Sequence, residues 1–207
     1  SGGTSRTDQA LFDGIDTSVP GLARYVPGEV PAALASGLAA IAGAVTAAGQ
    51  KAASGGPAAA VAPLVDGLQA VRSLRAQLAS RAISIPDEAR FEIDSRLDRK
   101  EKQFVEAVLT SGGVRLDVLA DDGQVVAGQP LKVTVIAANR GAAPMAVKQV
   151  EFRGLDGEAG VCKPGTVAPG GVLRCEAALE VSKQARLSGQ YWKRLPDAAR
   201  YQFDPDA

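Results

Sequence analysis

The sequence predicts an α+β chain in two parts: an N-terminal antiparallel bundle of about three helices, then an immunoglobulin-like antiparallel β-sandwich. Three observations predict it. Up to about position 108, apolar residues recur at three- and four-residue spacing. Beyond Gly112-Gly113 they alternate singly, in short runs divided by Gly, Pro, Asn and Asp. Aromatic residues are only 4% of the 207 positions, so the core must come from small and branched side chains in close contact. The expected divisions are 1–6 as an expression remnant or flexible lead, 7–111 as the bundle, and 112–207 as the sandwich with an aromatic tail.

In the helical part, Asp8–Phe12 reads as one helical turn before Gly14, Pro20 and Gly21 break the pattern. Ile15, Val19 and Leu22 are then apolar pegs against the helices that follow. Pro27-Gly28-Glu29-Val30-Pro31 is a start signal, since Pro31 is tolerated in a first turn. Val30, Leu34, Leu38, Ile41, Val45 and Ala48 share one face. Gly37 and Gly43 each cost about 1 kcal/mol against alanine, which close helix contact would offset. The run ends at Gly49 or at Ser54-Gly55-Gly56. Pro57 restarts a helix, with Pro63 either opening its regular part or kinking it. Leu64, Leu68, Val71, Leu74 (or Arg75) and Leu78 form its stripe as far as Ser80.

The third helix begins at Ser84-Ile85-Pro86-Asp87, which combines a cap candidate, an early proline and an acid where the helix dipole favours it. Phe91 (or Ile93), Leu97, Phe104 and Val108 are its apolar stripe. The mixed charges between Glu88 and Glu106, the run Arg96–Lys102 among them, read as a solvated outer face. A partner-docking surface is the competing reading.

In the β part, Val114–Leu119 alternates, with Val114, Leu116 and Val118 on one side, and Asp121-Asp122-Gly123 is a turn. Gly128-Gln129-Pro130 introduces the best strand, Leu131–Ala138, and Asn139-Arg140-Gly141 ends it with residues permissive of positive φ. Val147–Arg153 and Val161-Cys162 read as further strands. Pro169-Gly170-Gly171 turns the chain into Val172–Val181, where Leu173, Cys175, Ala177, Leu179 and Val181 share a face. Cys162 and Cys175 flank that turn region, and alternation brings them to a shared face. We therefore expect a disulfide between them, worth roughly 3 kcal/mol for so small a loop, and with it an oxidising compartment. Two buried thiols are the competing reading.

Composition excludes several chemistries. Lys+Arg and Asp+Glu are equal at 23 each, so no global field attracts nucleic acid or anionic membrane. The chain has no histidine, which removes the commonest general base near neutral pH and the commonest zinc ligand. The most apolar stretch, Val30–Ala48, is interrupted by Ser36, Gly37, Gly43 and Thr46 and suits a core helix better than a membrane span. Asp117, Asp121, Asp122, Asp156 and Glu158 lack the regular spacing of a calcium loop. Neither Gly55-Gly56 nor Gly170-Gly171 carries the Lys and Ser/Thr of a phosphate loop. No catalytic, metal-binding or cofactor-binding residue is expected.

The tail differs in kind. Tyr191-Trp192-x-Arg194-Leu195-Pro196, followed by Tyr201-x-Phe203-Asp204-Pro205-Asp206-Ala207, gathers aromatics beside cations. Tyr191, Trp192, Arg194 and Tyr201 would suit a stacking platform for sugar rings; sealing a core or an interdomain seam is the plainer role. This tail resembles a signature in large bacterial proteins of the PIG-L (LmbE-like) deacetylase family. Phe12–Ser18 and Asp98–Phe104 resemble other parts of the same region, and Gly128–Gly141 is similar to bacterial extracellular immunoglobulin-like modules. The resemblance implies a non-catalytic middle region of a periplasmic or secreted zinc-dependent N-deacetylase. Zinc would then be held only by a catalytic domain elsewhere in the parent chain, with that domain as partner and a glycan as the alternative one.

Overall fold

A computed structural model describes residues 16–156, 163–185, 189, 192–194 and 201–203. The chain is α+β. Its described residues form two compact units. One holds the residues up to Arg115 together with Ala138–Met145 and Val167–Val172; the other holds Leu116–Ala137, Ala146–Thr166 and the chain from Leu173 on.

The first unit contains a 3-10 helix, Pro20–Tyr25, and three α-helices: α1 (Ala32–Gly55), α2 (Val61–Ala79) and α3 (Asp87–Ser111). Pro31 stands just before α1, and Gly56, at φ +77°, ends it. A second 3-10 turn, Pro57–Ala60, leads into α2, so Pro63 falls in the first turn of α2, where no backbone donor is lost. The expected cap at Ser84 is not formed. Pro86 is the residue before α3, and no side chain caps it. Arg90 closes that end instead, donating to Ile85 O at 2.9 Å and to Asp87 Oδ1.

Leu34, Leu38, Ile41, Val71, Leu74, Leu78, Ile93 and Leu97 are the centre of one hydrophobic core, with Leu22, Ile83 and Phe104 around them. Each such side chain contributes about 1.5–3 kcal/mol by leaving water. The structure decides the open alternatives: Leu74 is inside rather than Arg75, and Ile93 rather than Phe91, which is 71% exposed. Val45, expected in the stripe, is half exposed. Glycine matters where the helices meet. A Cβ on Gly37 would lie 2.9 Å from Leu74 Cδ1, and one on Gly67 only 2.3 Å from Phe104 Cε1. Gly43 has open space around it, so close contact does not offset its cost. α1 is long and apolar enough to cross a membrane by length and composition alone; in the fold its Leu and Ile side packs into this core.

The β strands are β1 (Val114–Ala120), β2 (Pro130–Asn139), β3 (Met145–Val147), β4 (Leu155–Asp156), β5 (Gly165–Val167), β6 (Val172–Val181), β7 (Trp192–Arg194) and β8 (Tyr201–Phe203). One sheet has the order β1-β2-β6-β4, and β3-β5 and β7-β8 are separate pairs. Val181 N donates to Gln129 O (2.9 Å) at one end of β2, and Asn139 N donates to Gly171 O (3.0 Å) at the other. The start of β2 therefore meets the end of β6, and the pair is antiparallel. β4 is antiparallel to β6 on its other side, with Leu155 opposite Val181.

The second unit has its own core of Leu131, Val133, Val135, Cys175, Ala177 and Leu179, with Val150, Phe152, Leu155 and Leu173 packed against it. The expected strand over 147–153 is a correction. Only Met145–Val147 pairs, and Val150 and Phe152 reach the core from irregular backbone. The alternation of β1 misled in another way: Leu116 and Val118 are more than half exposed, so its apolar side does not enter the core. The expected helical turn at Asp8–Phe12, Gly14, Ile15 and the strand at Val161-Cys162 lie outside the described residues.

Asn139 was read as permissive of a positive φ, but among the described non-glycine residues only Arg81 has one. It is instead a buried polar hub at 1% exposure. Its amide nitrogen donates to Ala143 O (2.8 Å) and Val167 O (2.9 Å), and its Oδ1 accepts from Gly141 N (3.0 Å). Gly141 is needed for close approach, since a Cβ there would stand 2.1 Å from Gly112 O. Gly113, at φ +69°, completes the turn out of α3 and accepts from Arg140 N at 2.7 Å.

Candidate functional site

The residues predicted for a site fare unevenly. Trp192 is partly buried and Arg194 exposed; both belong to β7, two positions apart and so on one face of the strand. The register sets Trp192 opposite Phe203 and Arg194 opposite Tyr201. Tyr191 lies outside the described residues. Cys175 is buried on β6, at 7% exposure; Cys162 lies outside the described residues.

Two of the acids weighed as a calcium set, Asp121 and Asp122, are engaged by nearby N–H groups. Asp121 Oδ1 accepts from Lys132 N at 2.9 Å. Asp122 accepts from Gln124 N and from Gln129 Nε2, each at 3.0 Å. These bonds hold the Asp122 carboxyl below its ordinary range, the Gln124 backbone N–H contributing most. Among the described residues no group of three or more Cys, Asp or Glu is placed to hold a metal ion. Glu158 lies outside the described residues.

The charged segment of α3 is not simply a solvated face. Asp94, Asp98 and Glu101, at helical spacing, meet arginines of α2. Arg75 reaches Asp94 at 2.9 Å, Asp98 at 2.9 Å and Glu101 at 2.7 Å, while Arg72 reaches Glu101 at 2.7 Å. Arg75 is 27% exposed in this network. Its pKa is raised above the ordinary guanidinium value, chiefly by the bond to Asp94. Glu101 is held below the usual carboxylate range by Arg72 and then Arg75, and Asp98 by Lys102 and then Arg75.

The opposite flank of α3 carries cations, and sequence reasoning missed what they form. Arg96, Arg99, Lys100 and Gln103, again at helical spacing, line a cleft with Arg24 and Thr17 from the segment around the first 3-10 helix. The cleft measures about 320 Å³. Tyr25 sits beneath two of these cations, 5.1 Å from the Arg24 guanidinium carbon and 4.4 Å from that of Arg96. Arg96 also pairs with Glu92, and Arg24 donates to Asp16 O. Asp16 bonds Ser18 N at 2.9 Å, and its carboxyl is lowered mainly by Ser18. The spacing 96, 99, 100, 103 was the available signal, but its counterpart at Arg24 lies about seventy positions away in the chain.

Compared with family models, with curated proteins and with solved structures, the chain has no match. The likeness of the tail to PIG-L proteins therefore rests on its own residues.

Proposed function

We propose that this chain is a non-catalytic accessory segment of a PIG-L-like zinc-dependent N-deacetylase, packing against or positioning the catalytic domain of the same parent chain. In this reading the β part is an immunoglobulin-like sandwich. Support for the sandwich comes from the central antiparallel pair β2-β6, its alternating burial and the separate β3-β5 pair. The observation that carries the scaffold reading is where the polar side chains are spent. Asn139 commits its amide to three backbone groups, and Arg75 is matched by three carboxylates. Groups so engaged stiffen a fold and are not free to act on a substrate. The parent would be exported to the periplasm or secreted, in keeping with a Cys162–Cys175 bridge.

The test is the parent reading frame. It should encode a histidine-bearing deacetylase domain, and deleting residues 16–207 should lower the melting temperature of that domain. A frame without such a domain, or zinc-dependent turnover by the present chain alone, refutes the reading.

A second reading, a carbohydrate- or cell-wall-binding module, draws on the partly buried Trp192 and the exposed Arg194 of β7, with Tyr191 and Tyr201 as its further members. Trp192 is the single tryptophan, so its fluorescence reports the site directly. Quenching by chito-oligosaccharides that disappears in Tyr201→Ala, with circular dichroism unchanged, would favour this module; unchanged emission would remove it.

A further inference from the structure

Helix α3 separates its charges by side. The carboxylates at 94, 98 and 101 are consumed by Arg72 and Arg75. The cations at 96, 99 and 100 gather instead in the cleft with Arg24. Among the described residues four cations there face two carboxylates: Asp16 in the lining and Glu92 paired to Arg96. Arg99 is exposed and forms no ion pair among the described residues. Lys100 has, among the described residues, only a neutral acceptor, Gln103 Oε1 at 2.9 Å. Clustered like charges repel at this range, and a multiply charged anion relieves that repulsion.

We propose that this cleft binds a small phosphate-bearing anion, a pyrophosphate or phosphate ester. Guanidinium forks match phosphate oxygens in pairs, and Tyr25 fixes two of them by cation–π contact before any ligand arrives. Arg99 and Lys100 supply the uncommitted charge, Arg24 and Arg96 the fixed wall, and Thr17 and Gln103 further polar groups at the rim. A long polyanion is disfavoured, because the chain as a whole is neutral and the positive charge is confined to one cleft. A small ligand with two or more negative charges fits both facts.

The experiment is calorimetric titration of the full chain with sodium pyrophosphate at low ionic strength, alongside sedimentation with vesicles of phosphatidylcholine and phosphatidic acid. Arg99→Gln should weaken pyrophosphate binding about tenfold and Lys100→Gln about fivefold. Arg72→Gln, on the other flank of α3, should leave it within about twofold. Binding of both pyrophosphate and vesicles, lost together in Arg99→Gln, would place the phosphate on a lipid headgroup; pyrophosphate alone would mean a soluble ester. No heat up to about 5 mM pyrophosphate, an equal loss in Arg72→Gln and Arg99→Gln, or vesicle capture without pyrophosphate binding overturns the proposal.

Discussion

The helical unit and the β unit are consolidated differently. In the helical unit large aliphatic side chains are wholly buried: Leu34, Leu38, Ile41, Leu74, Leu78, Ile93 and Leu97 are all at 0–1% exposure. Contact is tightened by Gly37 and Gly67, and the rim of α2 and α3 is laced by charge. The β unit buries shorter side chains, at 1–8% exposure, among them Val133, Val135, Cys175 and Ala177. It also leaves Leu116, Val118, Leu119 and Val126 more than half exposed. Aliphatic packing carries the first unit. The second has less apolar area to bury and depends more on its strand ladder, and on any covalent staple at Cys175.

That contrast can be broken by substitution. The largest effect belongs to Ile93→Ala, which should cost about 2–5 kcal/mol in denaturant unfolding, while Phe91→Ala, two residues away, should change stability by less than about 0.5 kcal/mol. Equal costs would mean the burial assignment on α3 is wrong. Next comes Asn139→Leu. It strands the carbonyls of Ala143 and Val167 and the N–H of Gly141, for a loss of about 2–4 kcal/mol. A near-neutral result would show that water replaces those bonds.

Arg75→Met should cost about 1–2 kcal/mol at neutral pH, because the network is partly solvated. The acid dependence has a definite sign. Asp98 and Glu101 have folded pKa values lowered by Lys102, Arg72 and Arg75. Their contribution is full above the unfolded carboxylate range, near pH 4, and is lost as pH falls through the lowered folded values. Unfolding measured at pH 7 and pH 3 should therefore show a smaller drop for Arg75→Met than for the parent. A larger drop would contradict the network. The staple has an effect of its own. Non-reducing alkylation should leave the mass unchanged if Cys162 and Cys175 are joined, and reduction should then lower the stability of the β unit by roughly 3 kcal/mol.

Much of the helical part was legible because a 3.6-residue period fixes a face over many turns. Where two positions one or two residues apart competed, the sequence left the choice open: Leu74 against Arg75, Phe91 against Ile93. Packing decided both. What periodicity cannot carry is a pairing between distant residues. The fit of Phe104 over Gly67, the meeting of Asp94 and Asp98 with Arg75, and the cleft joining Arg24 to Arg99 all required the fold. In the β part the long strands β2 and β6 were readable from alternation, whereas the three-residue strands β3 and β5 are too short to show a period. Alternation in β1 was real, but it says nothing about which face meets a core. Of the predicted site, Trp192 and Arg194 share β7, and the spacing of Tyr191-Trp192-x-Arg194 already placed those two positions on one face of any strand.

Native-state hydrogen exchange on the intact chain tests the central contrast most directly. The amides of Leu74–Leu78 in α2 and Ile93–Leu97 in α3 should be the slowest and open as one cooperative group. Those of Val133–Ala137 in β2 and Cys175–Leu179 in β6 should form a second group that opens at lower free energy. Strand amides that outlast the helical ones, or a single group spanning both, would contradict the account.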